Sequence, residues 1–230
     1  MHNLLVLPGD GIGPEVTEQA VRVLRRVGEV FQQDFVFREA LIGGAALDAQ
    51  GVPLPEDTLQ LARESDAVLF GAIGGPRWNS LPAGRSPEQG LLALRQGMGV
   101  FANLRPARLY PELRGASALK TEILEKGVDL IIVRELTGGL YFGQPRGRTK
   151  LPDGQERALD TMVYSSGEIQ RVARVAFRLA QNRRQRLLSV DKANVLESSR
   201  LWREVVTEVA RDFPQVHLSH MYVDNCAMQK

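Results

Sequence analysis

Residues 3–16 read NLLVLPGDGIGPEV, and this stretch indicates the fold class more clearly than any other part of the chain. Residues 3–7 form a short apolar run typical of a buried strand, and residues 8–13 supply the proline and glycines of a tight loop. Pro14 suits the first turn of a helix, where its missing N–H costs nothing. A strand, a loop and a helix in this order begin a βαβ unit, so the sequence predicts an α/β fold.

The helix that begins near Pro14 is predicted to pack through one apolar face, whose members recur mainly at spacings of three and four residues. This face consists of Val16, Ala20, Val23, Leu24 and Val27. The same alternation of short apolar blocks and helical stripes continues along the chain. It predicts strands at 34–41 and 67–73 and helices at 56–64 and 87–96, in a first region that closes near residue 99.

A second region follows, from residue 100 to residue 230. Its first half is predicted to contain an extended segment at 101–109, a short helix at 120–126 and strands at 129–134 and 139–143. Its second half is predicted to contain a helix, a strand at 187–191, a helix at 198–213 and a strand at 216–223. The first of these two helices has an apolar face formed by Ile169, Val172, Ala173, Ala176, Leu179 and Ala180. Between residues 144 and 164 the chain is polar and has no core pattern. Such a segment in an α/β protein is usually functional or packs on a partner, so we expect a projecting arm.

The overall composition is that of an ordinary globular protein. The 230 residues are 43% hydrophobic and 24% charged, and 29 basic against 27 acidic residues leave a net charge of +2. So small a net charge argues against a general attraction to nucleic acid or to an anionic membrane. The single cysteine, Cys226, excludes an intrachain disulfide. The first residues resemble a strand more than a signal peptide, so we expect a cytoplasmic protein without membrane insertion.

The glycine-rich loop after the first predicted strand lies where phosphate-binding loops are found. The Rossmann fingerprint is G-x-G-x-x-G, but Gly9 and Gly11 are followed by Pro14 at the position of the third glycine. The predicted second strand also does not end in the acidic residue that would bind a ribose. A dinucleotide site and a tight turn that merely needs glycine are both compatible with this loop.

Three arginines lie at well-defined places in the predicted elements. Arg95 is at the end of a helix, Arg105 is inside an extended segment, and Arg134 ends a buried strand. The planar guanidinium suits bidentate binding of a carboxylate. An internal ion pair, for instance between Arg134 and Glu135, is the alternative. Three arginines in such positions favour a site for a small anionic molecule.

Two further positions carry groups that could transfer protons. Tyr141 follows a pair of glycines, and Lys192 comes just after a predicted strand, where α/β sheets bind their ligands. Taken individually, a residue of either type at such a position is more often a surface or packing residue. Asp224 follows the last predicted strand and could bind a hard metal ion, although one carboxylate alone does not make such a site.

Four longer motifs, taken together and in this order, resemble one known group of enzymes. They are LPGDGIGPEV at 7–16, FANLRPA at 101–107, IVRELTGGLYFGQP at 132–145 and SVDKANVL at 189–196. These motifs resemble those of the 3-isopropylmalate dehydrogenases, which belong to the β-decarboxylating dehydrogenases together with isocitrate, homoisocitrate and tartrate dehydrogenases.

The resemblance implies a two-domain fold that is distinct from the Rossmann fold. Residues 1–99 would be the N-terminal part of the first, cofactor-side domain, and residues 100–230 most of the second domain, which provides dimerisation and substrate binding. The arm at 144–164 would pair with the partner subunit of a homodimer with shared active sites. The implied reaction is the NAD-dependent oxidation and decarboxylation of (2R,3S)-3-isopropylmalate, a small dicarboxylate, to 4-methyl-2-oxopentanoate, with Mg²⁺ or Mn²⁺.

The resemblance also assigns roles to individual residues. Tyr141 and Lys192 would be the acid–base pair, and Lys192 and Asp224 would reach into the neighbouring subunit's site. The residues implied to bind substrate are Leu91, Arg95, Arg105, Arg134 and Asp224, the last also as a metal ligand. The residues implied to lie near the cofactor are Ile12, Ile73, Gly74, Gly75, Glu88 and Asn194.

The family's sequences continue well beyond the position that matches Lys230. On this basis the chain is expected to be the N-terminal portion of the enzyme, C-terminally incomplete, with little metal binding or turnover by itself. A related enzyme acting on isocitrate, homoisocitrate or tartrate is one alternative. A non-catalytic remnant that only dimerises is another.

Overall fold

The computed structural model describes residues 1–81, 85–125 and 127–229. The chain divides into two compact units, Met1–Gly99 and Val100–Lys230. Within the described residues, no helix combines the length and the apolar character needed to cross a membrane.

Unit 1 is built from three parallel strands and four α-helices among its described residues. They are, in chain order, β1 (His2–Gly9), α1 (Gly13–Phe31), β2 (Phe35–Glu39), α2 (Gly44–Gln50), α3 (Glu56–Glu64), β3 (Ala67–Ala72) and α4 (Pro87–Gly97). The sheet order is β2-β1-β3, with Leu4 opposite Phe37 on one side and opposite Ala67 on the other. The carboxyl ends of all three strands therefore lie at one edge of the sheet, and the loops that follow them meet there.

The core of unit 1 lies between β1 and the helices that follow it. Its buried members are Leu5, Leu7, Ile42, Ala62 and Leu94. Leu5 and Leu7 alternate along β1 toward one face of the sheet, as a half-buried strand requires. Leu94 links α4 to this core, and this contact fixes the side of α4 that remains available for other interactions.

The prediction that α1 packs through its apolar face is wrong in part, because Val16, Val23 and Val27 are exposed. The helix instead packs on the sheet through small buried residues, Gly13, Thr17 and Gly28. Their size lets the helix backbone approach the strands closely. A pattern based on large apolar side chains overlooks such a face, since glycine and threonine do not contribute to it.

Unit 2 contains the remaining described elements. They are β4 (Ala102–Arg108), α5 (Thr121–Glu125), β5 (Asp129–Glu135), β6 (Gly147–Lys150), β7 (Glu156–Leu159), α6 (Ser166–Gln181), β8 (Arg186–Asp191), α7 (Glu197–Ala210), β9 (His217–Tyr222) and α8 (Val223–Gln229). The pairs β4–β5 and β6–β7 are antiparallel, and β8–β9 is parallel. Helices α6 and α7 enclose the main core of the unit, in which Phe177 stacks on Phe213 with 5.1 Å between ring centroids.

Several sequence-based expectations for single elements need correction. The predicted strand at 139–143 is instead a single 3-10 turn, Gly139–Tyr141. The arm is not irregular, since β6 and β7 form an exposed hairpin within it. Helices α2 and α8 were not predicted, and Lys126, the last residue of the helix predicted at 120–126, lies outside the described residues. The second strand does end in an acidic residue, Glu39.

Candidate active site

The loop after β1 is organised by the carboxylate of Asp10. This side chain is 3% exposed and accepts backbone hydrogen bonds from Gly44, Ala45 and Gly74, each at 2.8 Å. Three segments far apart in sequence are thereby joined at the carboxyl edge of the sheet. Because backbone N–H donors satisfy the buried charge, the loop is held in one geometry.

The residues of unit 1 predicted to bind the cofactor lie around this loop. Ile12 is 56% exposed at its tip. Gly74 has φ +88°, and a Cβ there would lie 2.5 Å from Oε1 of Glu88, so only glycine fits between the loop and that carboxylate. Ile73 packs beside Gly43, and Gly75 continues the same turn in front of Trp78.

Helix α4 carries three of the predicted site residues on one side. Glu88, Leu91 and Arg95 are spaced by three and four residues, so they follow one another along one face of the helix. Leu94, which is buried in the core, borders this face, since it follows Leu91 by three residues. An acceptor, an apolar side chain and a cation thus occur in that order along a rigid element.

The two predicted substrate arginines of unit 2 share one face of the β4–β5 sheet. Arg134 is opposite Asn103 in the register, and Arg105 is two residues further along the same strand as Asn103. Side chains of directly paired residues, and of residues two apart on a strand, point to the same face. Arg105 donates from Nε to Oδ1 of Asn103 at 2.7 Å, which orients its guanidinium.

Tyr141 lies beside this arginine face. The guanidinium of Arg134 is 5.3 Å from the centroid of the Tyr141 ring, and the phenol is half exposed. The turn that leads to Tyr141 is held by the buried Glu135, which accepts hydrogen bonds from the backbone of Thr137 and Gly138 at 2.9 and 2.7 Å. The ion pair of Glu135 is formed with Arg171 on α6 and not with Arg134, the alternative that the sequence had left open.

The turn before Tyr141 also packs against a second phenol. Gly139 has φ +77°, and a Cβ there would lie 2.4 Å from the hydroxyl of Tyr164, so this backbone approaches the ring closely. Burial raises the pKa of Tyr164 above its ordinary value, and the nearby charge of Glu135 acts in the same direction. Tyr164 therefore serves as a neutral support for the turn.

Lys192 and Asp224 form an ion pair at the carboxyl ends of β8 and β9. The distance from Lys192 Nζ to Asp224 Oδ1 is 2.8 Å, and the side chains are 31% and 59% exposed. The hydrogen bond from Lys192 lowers the pKa of Asp224 below its ordinary value. Asn194 lies two residues after Lys192 in the same turn and is exposed.

The predicted residues of unit 2 therefore form two groups on different sheets. Arg105, Arg134 and Tyr141 belong to β4, β5 and the turn after β5, whereas Lys192 and Asp224 follow β8 and β9.

Asp224 is the one residue to which the sequence analysis gives a metal-binding role. Within residues 1–81, 85–125 and 127–229, no group of three or more His, Cys, Asp or Glu side chains is placed to hold a metal ion. Magnesium prefers six oxygen ligands, so this carboxylate supplies a partial donor set. The described residues of one chain do not by themselves fit a complete magnesium site.

Buried charged residues support these loops, and among them only Glu135 was given a role from the sequence, as an alternative partner of Arg134. They are Asp10, Glu135 and Asp191, with Arg171 and Arg203 as the partners of the last two. Asp10 and Asp191 adjoin the ends of predicted strands, and Glu135 follows one directly. An acidic residue at such a position, followed by a glycine- or alanine-containing turn, is the signal that could have identified them.

Comparison with known proteins gives a consistent picture. The family model described as "Isocitrate/isopropylmalate dehydrogenase" matches residues 3–230. A 3-isopropylmalate dehydrogenase from Pseudomonas putida is 57% identical over 98% of this chain and 62% of its own length. One from Synechocystis is 58% identical over 99% of this chain and 63% of its own length. The chain thus spans less than two thirds of these curated relatives.

Solved structures agree with this similarity. The crystal structure of isocitrate dehydrogenase from Methylococcus capsulatus superimposes with a TM-score of 0.84 and 31% identity, covering 100% of this chain and 62% of the other. The β-decarboxylating dehydrogenase from Thermococcus kodakarensis gives a TM-score of 0.71 with 34% identity, covering 100% of this chain and 60% of the other. The match to the family model extends over nearly the whole chain, and the solved structures have the same α/β architecture. The chain therefore belongs to the isocitrate/isopropylmalate dehydrogenase family.

Proposed function

We propose that the protein carrying this chain is an NAD-dependent 3-isopropylmalate dehydrogenase of leucine biosynthesis. It would oxidise and decarboxylate (2R,3S)-3-isopropylmalate to 4-methyl-2-oxopentanoate and CO₂. The observation that carries the proposal is the 57% identity, over 98% of the chain, to a relative of that name. A related enzyme acting on isocitrate is the second candidate, favoured by the fold similarity to an isocitrate dehydrogenase.

Substrate binding is assigned to the arginines and to Leu91. Arg105 and Arg134 share one sheet face and would bind a carboxylate through bidentate hydrogen bonds, and Arg95 would contribute from α4. Leu91, one turn before Arg95, would contact the isopropyl group. Burial of a branched apolar group of this size contributes about 1.5–3 kcal/mol. The third carboxylate of isocitrate would lose its hydration against the same leucine without a donor in return.

Proton transfers are assigned to Lys192 and Tyr141. Lys192 would accept the proton of the 2-hydroxyl group, and bound NAD would supply the hydride acceptor for the same carbon. Asp224, with Oδ1 2.8 Å from Nζ, holds the Lys192 side chain in place. After CO₂ leaves the resulting keto acid, Tyr141 would deliver a proton to the enol carbon.

Cofactor binding is assigned to the loop around Asp10 and to Asn194. The residues that would border the nicotinamide are Ile12, Ile73, Gly74, Gly75 and Glu88. Two observations support this assignment: Ile12 is exposed, and Gly74 lies beside the carboxylate of Glu88. Asp224 would contribute one oxygen ligand to Mg²⁺ or Mn²⁺.

The protein is also proposed to be a cytoplasmic homodimer with shared active sites. The exposed β6–β7 hairpin supports pairing with a second copy, since an isolated two-stranded hairpin is marginally stable. The free Cys226 is compatible with a reducing compartment.

A direct assay tests this function. NADH formation is measured with 3-isopropylmalate, isocitrate and tartrate, with Mg²⁺ or Mn²⁺, on the 230-residue chain and on a chimera extended to the full length of the Pseudomonas putida relative. We expect turnover of 3-isopropylmalate by the chimera, and loss of that turnover in its Lys192→Met variant. Preferred turnover of isocitrate would reject the proposal in favour of the second candidate.

A further inference from the structure

An ion pair with a buried carboxylate adjoins Lys192 in the chain. Asp191 ends β8 and its side chain is 1% exposed. Arg203, on the second turn of α7, donates from Nε to Oδ2 and from Nη2 to Oδ1 of Asp191, both at 2.9 Å. This bidentate arrangement fixes the carboxylate in rotation as well as in position.

The same guanidinium also contacts the neighbouring strand. Its central carbon lies 4.8 Å from the centroid of the Tyr222 ring, and Tyr222 is the register partner of Asp191 in the parallel β8–β9 pair. Arg203 thus touches both members of the last residue pair of this sheet. Lys192 follows one member directly, and Asp224 follows the other by two residues.

The backbone around Lys192 depends on Asp191 as well. Oδ1 of Asp191 accepts the backbone N–H of Ala193 at 3.0 Å, so one carboxylate holds the chain on both sides of Lys192. The carbonyl of Lys192 in turn accepts the N–H groups of Val195 and Leu196 at 3.0 Å each, which begins the turn into α7. The position of Arg203 on α7 therefore affects the orientation of the Lys192 side chain, because both are connected through the carboxylate of Asp191.

Stability alone does not account for such a pair. A buried ion pair can often be replaced by apolar residues of similar volume without loss of stability, because desolvation offsets much of its attraction. What apolar residues cannot supply is a carboxylate with two directed acceptor oxygens at the end of β8. The geometry of the turn is therefore the property that requires Arg203.

We propose that Arg203 is a positioning residue that holds Lys192 against Asp224. It acts on Lys192 through Asp191 and Tyr222. The value of this positioning for catalysis rests on the proposed function, in which Lys192 is the base.

The test is lysine-selective NMR of the 230-residue chain. The sequence has five lysines, so the ε-methylene and Nζ signals of Lys192 can be assigned by comparison with a Lys192→Met variant. We expect these signals to be separate from those of the exposed Lys120 and Lys150. In Arg203→Met the separation should disappear, because the Lys192 side chain then samples many rotamers.

The matched control is Arg174→Met. Arg174 belongs to the same unit and pairs with Asp212 at 2.7 Å, so its loss also removes an arginine–aspartate pair. It should leave the Lys192 signals unchanged. Equal changes in both variants would assign the effect to general destabilisation and overturn the proposal.

A second variant separates positioning from folding. Asp191→Leu combined with Arg203→Met replaces the pair by apolar side chains and leaves no unpaired buried carboxylate. We expect a folded protein with the Lys192 separation still lost. Retention of the wild-type Lys192 signals in this variant or in Arg203→Met would overturn the proposal. Since the readout uses neither substrate nor NAD, its failure is distinguishable from a failure of the proposed function.

Discussion

The buried carboxylate of Asp10 accepts a 2.8 Å hydrogen bond from the backbone N–H of Gly74, 64 residues further along the chain. The same side chain binds the N–H groups of Gly44 and Ala45. One carboxylate thus joins the loop after β1 to the turn after β3 and to the start of α2. The arrangement of this edge of the sheet depends on a single side chain.

Asp10→Asn is therefore expected to destabilise the chain. The amide lacks the negative charge and directs an NH₂ group at backbone donors, and the loss of a buried acceptor for such donors costs about 1–3 kcal/mol. The free energy of unfolding, measured by urea denaturation, should fall by that amount. Asp48→Asn is the control, because Asp48 forms an exposed ion pair with Arg77 and should cost about 1 kcal/mol or less. Equal losses in the two variants would contradict this account of the loop.

Substrate preference is expected to depend on Leu91. In the full-length chimera, Leu91→Ser removes apolar contact with the isopropyl group and supplies a hydroxyl to a more polar substrate. The ratio of kcat/KM for 3-isopropylmalate over isocitrate should fall about tenfold or more, as expected for the loss of about 1–3 kcal/mol of apolar contact. Leu113→Ser, at an exposed leucine of unit 2, should leave the ratio unchanged. A ratio insensitive to Leu91 would remove this residue from the substrate site.

The β6–β7 hairpin is expected to contribute to dimerisation. Replacing residues 147–159 by two glycines removes both strands, and the mass measured by light scattering should shift toward the monomer. Glu156→Gln is the control, since it removes only the exposed pair with Arg148 at 4.0 Å and leaves the hairpin backbone intact. A dimer that persists without the hairpin would show that other surfaces are sufficient for association.

The stability of unit 2 is expected to decrease as the pH falls. Burial lowers the pKa of His220 below its ordinary value of 6.5, and the nearby charge of Arg203 acts in the same direction. The unfolded chain then binds a proton at His220 more readily than the folded chain does. The contribution of His220 to the free energy of unfolding is therefore fully present above about pH 6.5. It is lost as the pH falls through the lower folded value. In His220→Phe, urea denaturation should show a smaller loss of stability between about pH 7 and pH 5. An identical pH dependence in both proteins would reject this role.

Local pattern was sufficient to locate several helices and strands along the chain. The helix predicted at 56–64 is α3 with the same bounds, and β8 and β9 lie where the apolar blocks predicted strands. The prediction failed where small residues form the contact, as for α1, or where the chain is polar, as in the hairpin. In those places the structure depends on what the backbone approaches, and a periodic pattern does not contain that information.

Some residues of the candidate site were named from the sequence, and others were found only in the structure. Residue type and position made candidates of Arg105, Arg134, Tyr141, Lys192 and Asp224, since each lies in or after a predicted strand. Asp191 and Arg203 were not among them, because a carboxylate at a strand end and an arginine on an amphipathic helix are each ordinary features. Only the tertiary structure shows that they are paired, at 2.9 Å.

The sequence by itself determined the α/β class, the order of most strands and helices, and the motifs that relate the chain to its family, because these follow from neighbours close along the chain. The tertiary structure alone decided that Asp10 joins three distant segments and that Arg203 contacts the ends of two strands. It also decided that the valines of α1 face outward. Such contacts form between residues far apart in sequence, and their partners are selected by the packing of the whole unit rather than by local periodicity.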